Sequence, residues 1–82
     1  MEKVFIIQNL GEAEIQLKET IDKLKNQADY DVAEFQIEIQ HLMVHINTAY
    51  NLRTWTKEQI ENDYGNSFDE LIKVPDDNYL ID

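Results

Sequence analysis

The amino-acid sequence predicts an all-α protein built on an antiparallel helical hairpin. Glycine occurs twice and proline once in 82 residues, so few residues interrupt helices. Apolar residues recur at spacings of three and four over two long stretches, as on one side of a helix. The segment QADYD, residues 27–31, separates these stretches. A connection this short makes two long helices antiparallel neighbours.

The first helix is expected over about 9–27. Asn9, followed three residues later by Glu12, is a capping pair that could start it. Residues 1–8 would then be a short apolar lead, either a strand or an extension of the helix. In the second case the helix begins near Glu2 and passes through Gly11, at a cost of about 1 kcal/mol. The main apolar stripe consists of Ile6, Leu10, Ala13, Leu17, Ile21, Leu24 and Ala28.

The second helix is expected over about 32–54. Asp31 is its predicted N-cap, and Glu34 stands at the position that completes a capping box. Its main stripe consists of Val32, Phe35, Ile39, Leu42, Ile46 and Ala49. We expect the stripes of the two helices to form the inside of the hairpin.

The remaining chain predicts one or two short helices. Thr56 with Gln59 is a capping pair, and Gly65 can end the helix that they start. Ser67 with Glu70 can start a further short helix before Pro75. Residues 75–82 are expected to form an acidic extended tail. The whole chain, 1–82, is predicted to be a single helical domain, since 82 residues suffice for one domain only.

The second helix carries apolar residues on another side as well. Ile37 and Val44 lie nearly opposite the main stripe, with His41 and Thr48 beside them. A helix that is apolar on two sides is usually buried on two sides. Either the C-terminal segment or a second copy of the chain could cover these four residues. We expect self-association, which would make a four-helix bundle from two hairpins.

Both histidines lie in a row of ligand-type side chains at helical spacing: Glu34, Glu38, His41 and His45. Histidines at i and i+4 can bind one divalent metal ion. A symmetric dimer could bring two such rows together, whereas the alternative is an ordinary polar row or a pH sensor. Asn47 and Asn51 are also spaced i,i+4, and their amides are expected to fix the register of a helix contact.

The net charge of −10 is unevenly distributed. No lysine or arginine lies between Lys25 and Arg53, and from Thr54 onward eight acids face Lys57 and Lys73. Such a charge disfavours nucleic acid and anionic membranes and favours a basic protein partner, although solubility alone could explain it. The predicted partner-binding acids are Glu58, Glu61, Asp63, Asp69, Glu70, Asp76 and Asp77.

Several function classes find no support in the sequence. There is no cysteine, so no disulfide or thiolate metal site forms, and no nucleophile motif or glycine-rich phosphate loop is present. No signal peptide or membrane-spanning stretch is recognisable, so a cytoplasmic location is expected. The predicted function is that of a small acidic interaction or regulatory protein, a homodimer that binds a macromolecular partner without catalysis or cofactor. The alternatives are an immunity- or inhibitor-type protein that neutralises a basic enzyme, and a dimeric metal-binding bundle.

Overall fold

The computed structural model describes residues 1–74 and, at Phe68, the backbone alone. These residues form helices and no strand, in agreement with the predicted all-α class. The helices are α1 (Lys3–Asn26), α2 (Val32–Asn51), a 3-10 turn (Leu52–Thr54), α3 (Lys57–Asp63) and α4 (Phe68–Leu71). Across residues 1–74, none of them combines the length and the apolar character needed to cross a membrane. The predicted tail, 75–82, lies outside the described residues.

Helices α1 and α2 pack along each other as an antiparallel hairpin. Side chains near the end of α1 contact the beginning of α2, as between Lys23 and Glu38. Side chains near the beginning of α1 contact the later part of α2, as between Asn9 and His45. The predicted hairpin is therefore confirmed, and the connection 27–31 reverses the chain.

The start of α1 differs from the expected residue 9. The helix begins at Lys3 and passes through Gly11, so residues 4–7 are helical rather than a strand. Asn9 does not cap the helix, because its Nδ2 donates to the carbonyl oxygen of Phe5 one turn earlier. The physical reason is that Phe5 and Ile6, once helical, pack against the core. This packing outweighs the helix penalty of one glycine, about 1 kcal/mol.

The predicted N-caps of α2 and α3 are present, but the capping box expected at α2 is only half formed, because the Glu34 carboxylate accepts a hydrogen bond from Gln27 instead. The Asp31 carboxylate accepts a hydrogen bond from the backbone N–H of Glu34 at 3.0 Å. Thr56 and Gln59 form a reciprocal capping box, with side chain and backbone bonded in both directions. Each cap satisfies backbone N–H groups that a helix start leaves without an internal partner.

The hydrophobic core lies at the open end of the hairpin, away from the connection. Leu52, Ile60 and Leu71 are its buried members, contributed by the 3-10 turn, α3 and α4. Three half-buried side chains pack against them, namely Phe5, Ile6 and Trp55. This core is small, and small cores limit the stability of a single chain.

The C-terminal segment is fastened to α2 by the two asparagines of the sequence HLMVHINTAYN. Asn47 Nδ2 donates to the carbonyl oxygen of Ile72 at 3.1 Å. Asn51 Nδ2 donates to the carbonyl oxygens of Leu71 at 2.7 Å and Lys73 at 2.9 Å. These carbonyls lie at the end of α4 and directly after it, where helix carbonyls lack internal partners. The amides thus fix the register of this contact, as their spacing predicted.

The inside of the hairpin is largely polar, and of the two apolar stripes expected there only Ala13 and Ala49 are buried. Gln16 and Thr20 are buried, Thr20 with only 2% of its surface exposed, whereas Leu17 and Ile21 of the predicted stripe are exposed. Burial of polar groups costs little when each has a hydrogen-bond partner. Among the described residues, no buried side-chain nitrogen or oxygen lacks one. A row of hydrogen-bonded polar side chains therefore lies between the two helices.

Candidate functional site

A chain of hydrogen-bonded side chains runs between α1 and α2 and is here called the polar network. Its members are Asn9, Gln16, Thr20, Lys23, Tyr30, Glu38, His41 and His45. On each helix these residues recur at spacings of three and four or their sums, which keeps them on one side. The network therefore follows most of the length of the hairpin.

Glu38 is the centre of the network near the connection. Its two carboxylate oxygens accept hydrogen bonds from Lys23 Nζ at 2.7 Å, Tyr30 Oη at 2.8 Å and Thr20 Oγ1 at 3.0 Å. The hydrogen bond from Lys23 is the main cause that lowers the pKa of Glu38, and partial burial opposes it. The same bond raises the pKa of Lys23. Glu38 is thus held as a carboxylate and fixes three surrounding side chains.

Tyr30 closes the network at the hairpin connection. Burial, followed by its hydrogen bond to Glu38, raises the pKa of Tyr30 to about 12. Both causes disfavour the phenolate, the second because a phenolate cannot donate to a carboxylate. Tyr30 therefore serves as a neutral hydrogen-bond donor at neutral pH.

The histidines form the other end of the network. His41 Nδ1 lies 2.6 Å from Gln16 Oε1, and His45 Nδ1 lies 3.3 Å from Asn9 Oδ1. The two Nε2 atoms face each other at 3.3 Å. The rings stand edge to face, with centroids 4.8 Å apart. Each ring is therefore oriented by α1 through one nitrogen and directed at the other ring through the second.

Seven residues that follow members of the polar network by one position, together with Phe35, form an apolar surface, here called the apolar face. Its members are Leu10, Leu17, Ile21, Leu24, Phe35, Ile39, Leu42 and Ile46. Leu17 is 46% exposed and Ile46 44% exposed, and only Ile39 and Leu42 of the eight are half-buried. A soluble helix normally turns such residues inward.

The apolar face is continuous across both helices. One residue corresponds to a rotation of 100° about the helix axis. Facing antiparallel helices are related by an approximate twofold axis, so this rotation brings both apolar rows to the same side of the hairpin. A depression lined by Leu24, Tyr30, Asp31, Val32 and Phe35 shows that the rows meet near the connection. The hairpin therefore has an apolar side, with the polar network bordering it.

The predicted metal row is divided between different partners. Glu34 accepts a hydrogen bond from Gln27 Nε2 at 3.2 Å, and Glu38 is bonded to Lys23, as described above. His41 and His45 contact each other and α1. Within residues 1–74, no three histidine or carboxylate side chains are grouped so that they could hold a metal ion.

The predicted self-association residues lie in different surroundings. Thr48 is buried and donates to the carbonyl oxygen of Val44 at 2.7 Å. Val44 is half-buried, and His41 contacts Gln16, as described above. Only Ile37, 68% exposed, presents a large apolar surface to solvent. The structure thus does not bring these four residues together as one free patch.

The acids predicted to bind a basic partner are at the surface wherever they are described. Glu58, Glu61, Asp63, Asp69 and Glu70 are all exposed, and the Glu70 carboxylate contacts Lys73 Nζ at 3.1 Å. Asp76 and Asp77 lie outside the described residues.

Comparison of the chain with protein-family models, curated proteins and solved structures gives no match.

The apolar face is the feature that the sequence reasoning placed wrongly. The spacing identifies both apolar rows but predicts them inside the hairpin, where of the predicted stripes only Ala13 and Ala49 are buried. The signal that could have corrected this is the polar row directly before them, in which Gln16, Thr20 and Glu38 follow the same periodicity. Their side chains can satisfy one another across a helix contact.

Proposed function

We propose that this chain is a small interaction protein that works as a homodimer, in which the apolar faces of two hairpins pack together as a four-helix bundle. The observation that carries this proposal is the exposure of Leu17, Ile21 and Ile46 on one side of the hairpin. Large exposed apolar patches mark interaction sites in proteins. In the bundle each hairpin supplies two helices, and the bundle core replaces the core that a single hairpin lacks.

The dimensions of the apolar face suit such a dimer. α2 contributes 20 residues to it, a length of about 30 Å, and two packed helices are about 20 Å wide. The face therefore covers about 600 Å² per copy and about 1,200 Å² for both, the lower end of the range for specific interfaces. A twofold axis makes such a surface complementary to itself without a second binding site.

The charges around the apolar face favour a second copy despite the net charge of −10. Between residues 39 and 52 the chain contains no aspartate, glutamate, lysine or arginine. On α1, Glu14 lies one turn from both Leu10 and Leu17, and the rim carries Lys18, Asp22 and Lys25, so two acids and two bases border the face there. The α2 half of this face can therefore meet a second copy without placing carboxylates opposite each other.

Sedimentation equilibrium over a concentration series tests the proposal. We expect the mass of a dimer at high concentration and a reversible approach to the monomer mass on dilution. A monomer at every concentration, with native helix content, would exclude self-association. Single cysteines introduced at Lys18 or at Met43, on the rim of the apolar face, then distinguish this face from other surfaces. They should cross-link the two copies only if the copies pack through the apolar face.

A basic macromolecular partner is a second proposal, and the exposed acids on α3 and α4 support it. In this case the dimer holds or blocks its partner rather than transforming a substrate, as an inhibitor of a basic enzyme would do. The test uses a purified basic protein that has been found to bind the native chain. Exchange of Glu58, Glu61 and Asp63 for their amides should raise the Kd of this complex and make the Kd less dependent on salt concentration. Exchange of Glu12, Glu14 and Glu19, equal in charge but on α1, is the matched control. Equal weakening by both triple variants would contradict a defined acidic site.

A further inference from the structure

The two histidines are built into the hairpin as a pair with a fixed orientation. His41 and His45 lie one turn apart on α2, and their Nε2 atoms are separated by 3.3 Å. His41 is exposed and His45 half-buried, so both rings are accessible from solvent. His45 borders a depression whose lining includes Asn9 and Glu12.

The amide partners determine which ring nitrogens carry protons. Gln16 Nε2 donates to Thr20 Oγ1 at 3.1 Å, so the Gln16 oxygen is the atom that faces His41. Asn9 Nδ2 donates to the Phe5 carbonyl at 3.0 Å, so its oxygen faces His45. An amide oxygen only accepts hydrogen bonds. Both Nδ1 atoms must therefore be donors.

With both protons on Nδ1, each neutral ring directs an unprotonated Nε2 at the other ring. Two lone pairs at 3.3 Å repel unless a proton or a cation lies between them. A zinc ion binds imidazole nitrogens at 2.0–2.1 Å, and two nitrogens at a tetrahedral angle are then about 3.3–3.4 Å apart. A right-angled arrangement of ligands would need about 2.9 Å. The separation in this structure thus matches the tetrahedral case.

We propose that His41 and His45 form a two-nitrogen binding site for a divalent transition-metal ion of the zinc class. Asn9 and Gln16 are its supporting residues, since a hydrogen bond from Nδ1 to an oxygen is the arrangement that orients metal-binding histidines. Water fills the remaining positions, and the neighbouring Glu12 adds negative charge that attracts the cation. Glu34 and Glu38 of the predicted row are not ligands, because their carboxylates are bonded elsewhere. The depression beside His45 is lined by Gln8, Asn9 and Glu12, which are not part of the apolar face, so the site does not depend on dimerisation through that face.

Calorimetric titration of the metal-free chain, prepared without a histidine tag, with Zn²⁺ tests the site. We expect one ion per chain and a loss of affinity of at least tenfold in His41→Ala and in His45→Ala. Asn9→Ala and Gln16→Ala keep both ligands and should weaken binding about 10- to 100-fold. Glu34→Gln, a member of the predicted row, is the control and should bind as the native chain does.

Nitrogen-detected NMR of the histidine rings gives a readout that needs no variant. On addition of Zn²⁺ we expect both Nε2 signals to shift while both Nδ1 atoms keep their protons. The proposal is overturned if the double variant His41→Ala/His45→Ala retains native affinity, if the native chain binds no Zn²⁺, or if the metal occupies Nδ1. Native affinity in both amide variants would overturn the supporting role of Asn9 and Gln16. Circular dichroism of every variant establishes that its helix content is native.

Discussion

Replacement of Leu17 by glutamine tests the proposed dimer most directly. Leu17 lies in the middle of α1 on the apolar face and leaves 46% of its surface exposed in the single chain. Full burial of a leucine side chain contributes about 1.5–3 kcal/mol. Burial of the exposed part in a dimer therefore contributes about 0.7–1.4 kcal/mol per copy.

The twofold symmetry of the proposed dimer doubles this contribution, because each of the two copies buries its own Leu17 in the interface. The variant should lose about 1.4–2.8 kcal/mol of association free energy, which raises the Kd of the dimer about 10- to 100-fold. Sedimentation equilibrium measures this change directly. Circular dichroism at the same concentrations checks that the helices persist.

Ile37→Gln is the matched control, since Ile37 is 68% exposed and loses a similar apolar surface. It precedes Glu38 by one residue and therefore lies on the side of the hairpin opposite the apolar face. We expect its Kd to equal that of the native chain. An unchanged Kd in Leu17→Gln would show that Leu17 does not lie in the dimer interface. Dissociation in Ile37→Gln would instead support the interface that the sequence predicted around Ile37 and Val44.

Three further predictions concern the stability of the hairpin. Gly11→Ala should stabilise the chain by about 0.5–1 kcal/mol in urea unfolding, because Gly11 lies within α1 and an added methyl group meets no atom within 4 Å. A loss of stability in this variant would show that the helix is not regular at Gly11. Leu71→Ala should lower the free energy of unfolding by about 2–5 kcal/mol in the same assay, since Leu71 is only 1% exposed in the core. A decrease of less than about 1 kcal/mol would mean that α4 does not pack against the core. In an absorbance titration, one tyrosine should ionise near pH 12, and Glu38→Gln should bring it nearer to its ordinary value of 10.0. Because the unfolded chain releases this proton first, folding stability should fall as the pH rises from 10 towards 12; simultaneous ionisation of all tyrosines would contradict this.

The helices of this protein are largely determined by local sequence. Thr56 and Gln59 start α3, and Asp31 starts α2, because each cap bonds backbone groups within three residues of itself. Such contacts need no information from distant parts of the chain. The start of α1 is the exception, because Phe5 gains its stabilisation from a core built by α3 and α4.

Part of the candidate site could also be predicted from spacing. The i,i+4 relation of His41 and His45, and of Asn47 and Asn51, identifies pairs that share one side of a helix. The partners of these pairs are 20 or more residues away in sequence, such as Gln16 for His41 and Leu71 for Asn51. No local pattern selects them, so the supporting shell of the histidines and the anchoring of α4 required the structure.

The spacing of apolar residues is enough to identify two long helices, the point where the chain reverses, and the residues of each apolar row. Which row of each helix lies inside the hairpin depends on contacts between the helices. The polar row and the apolar row are one residue apart and have the same periodicity, so a helical wheel fits either choice. Hydrogen bonds between Thr20, Glu38 and Lys23 across the helix contact decide it, because they satisfy the buried polar groups and leave the apolar face outside.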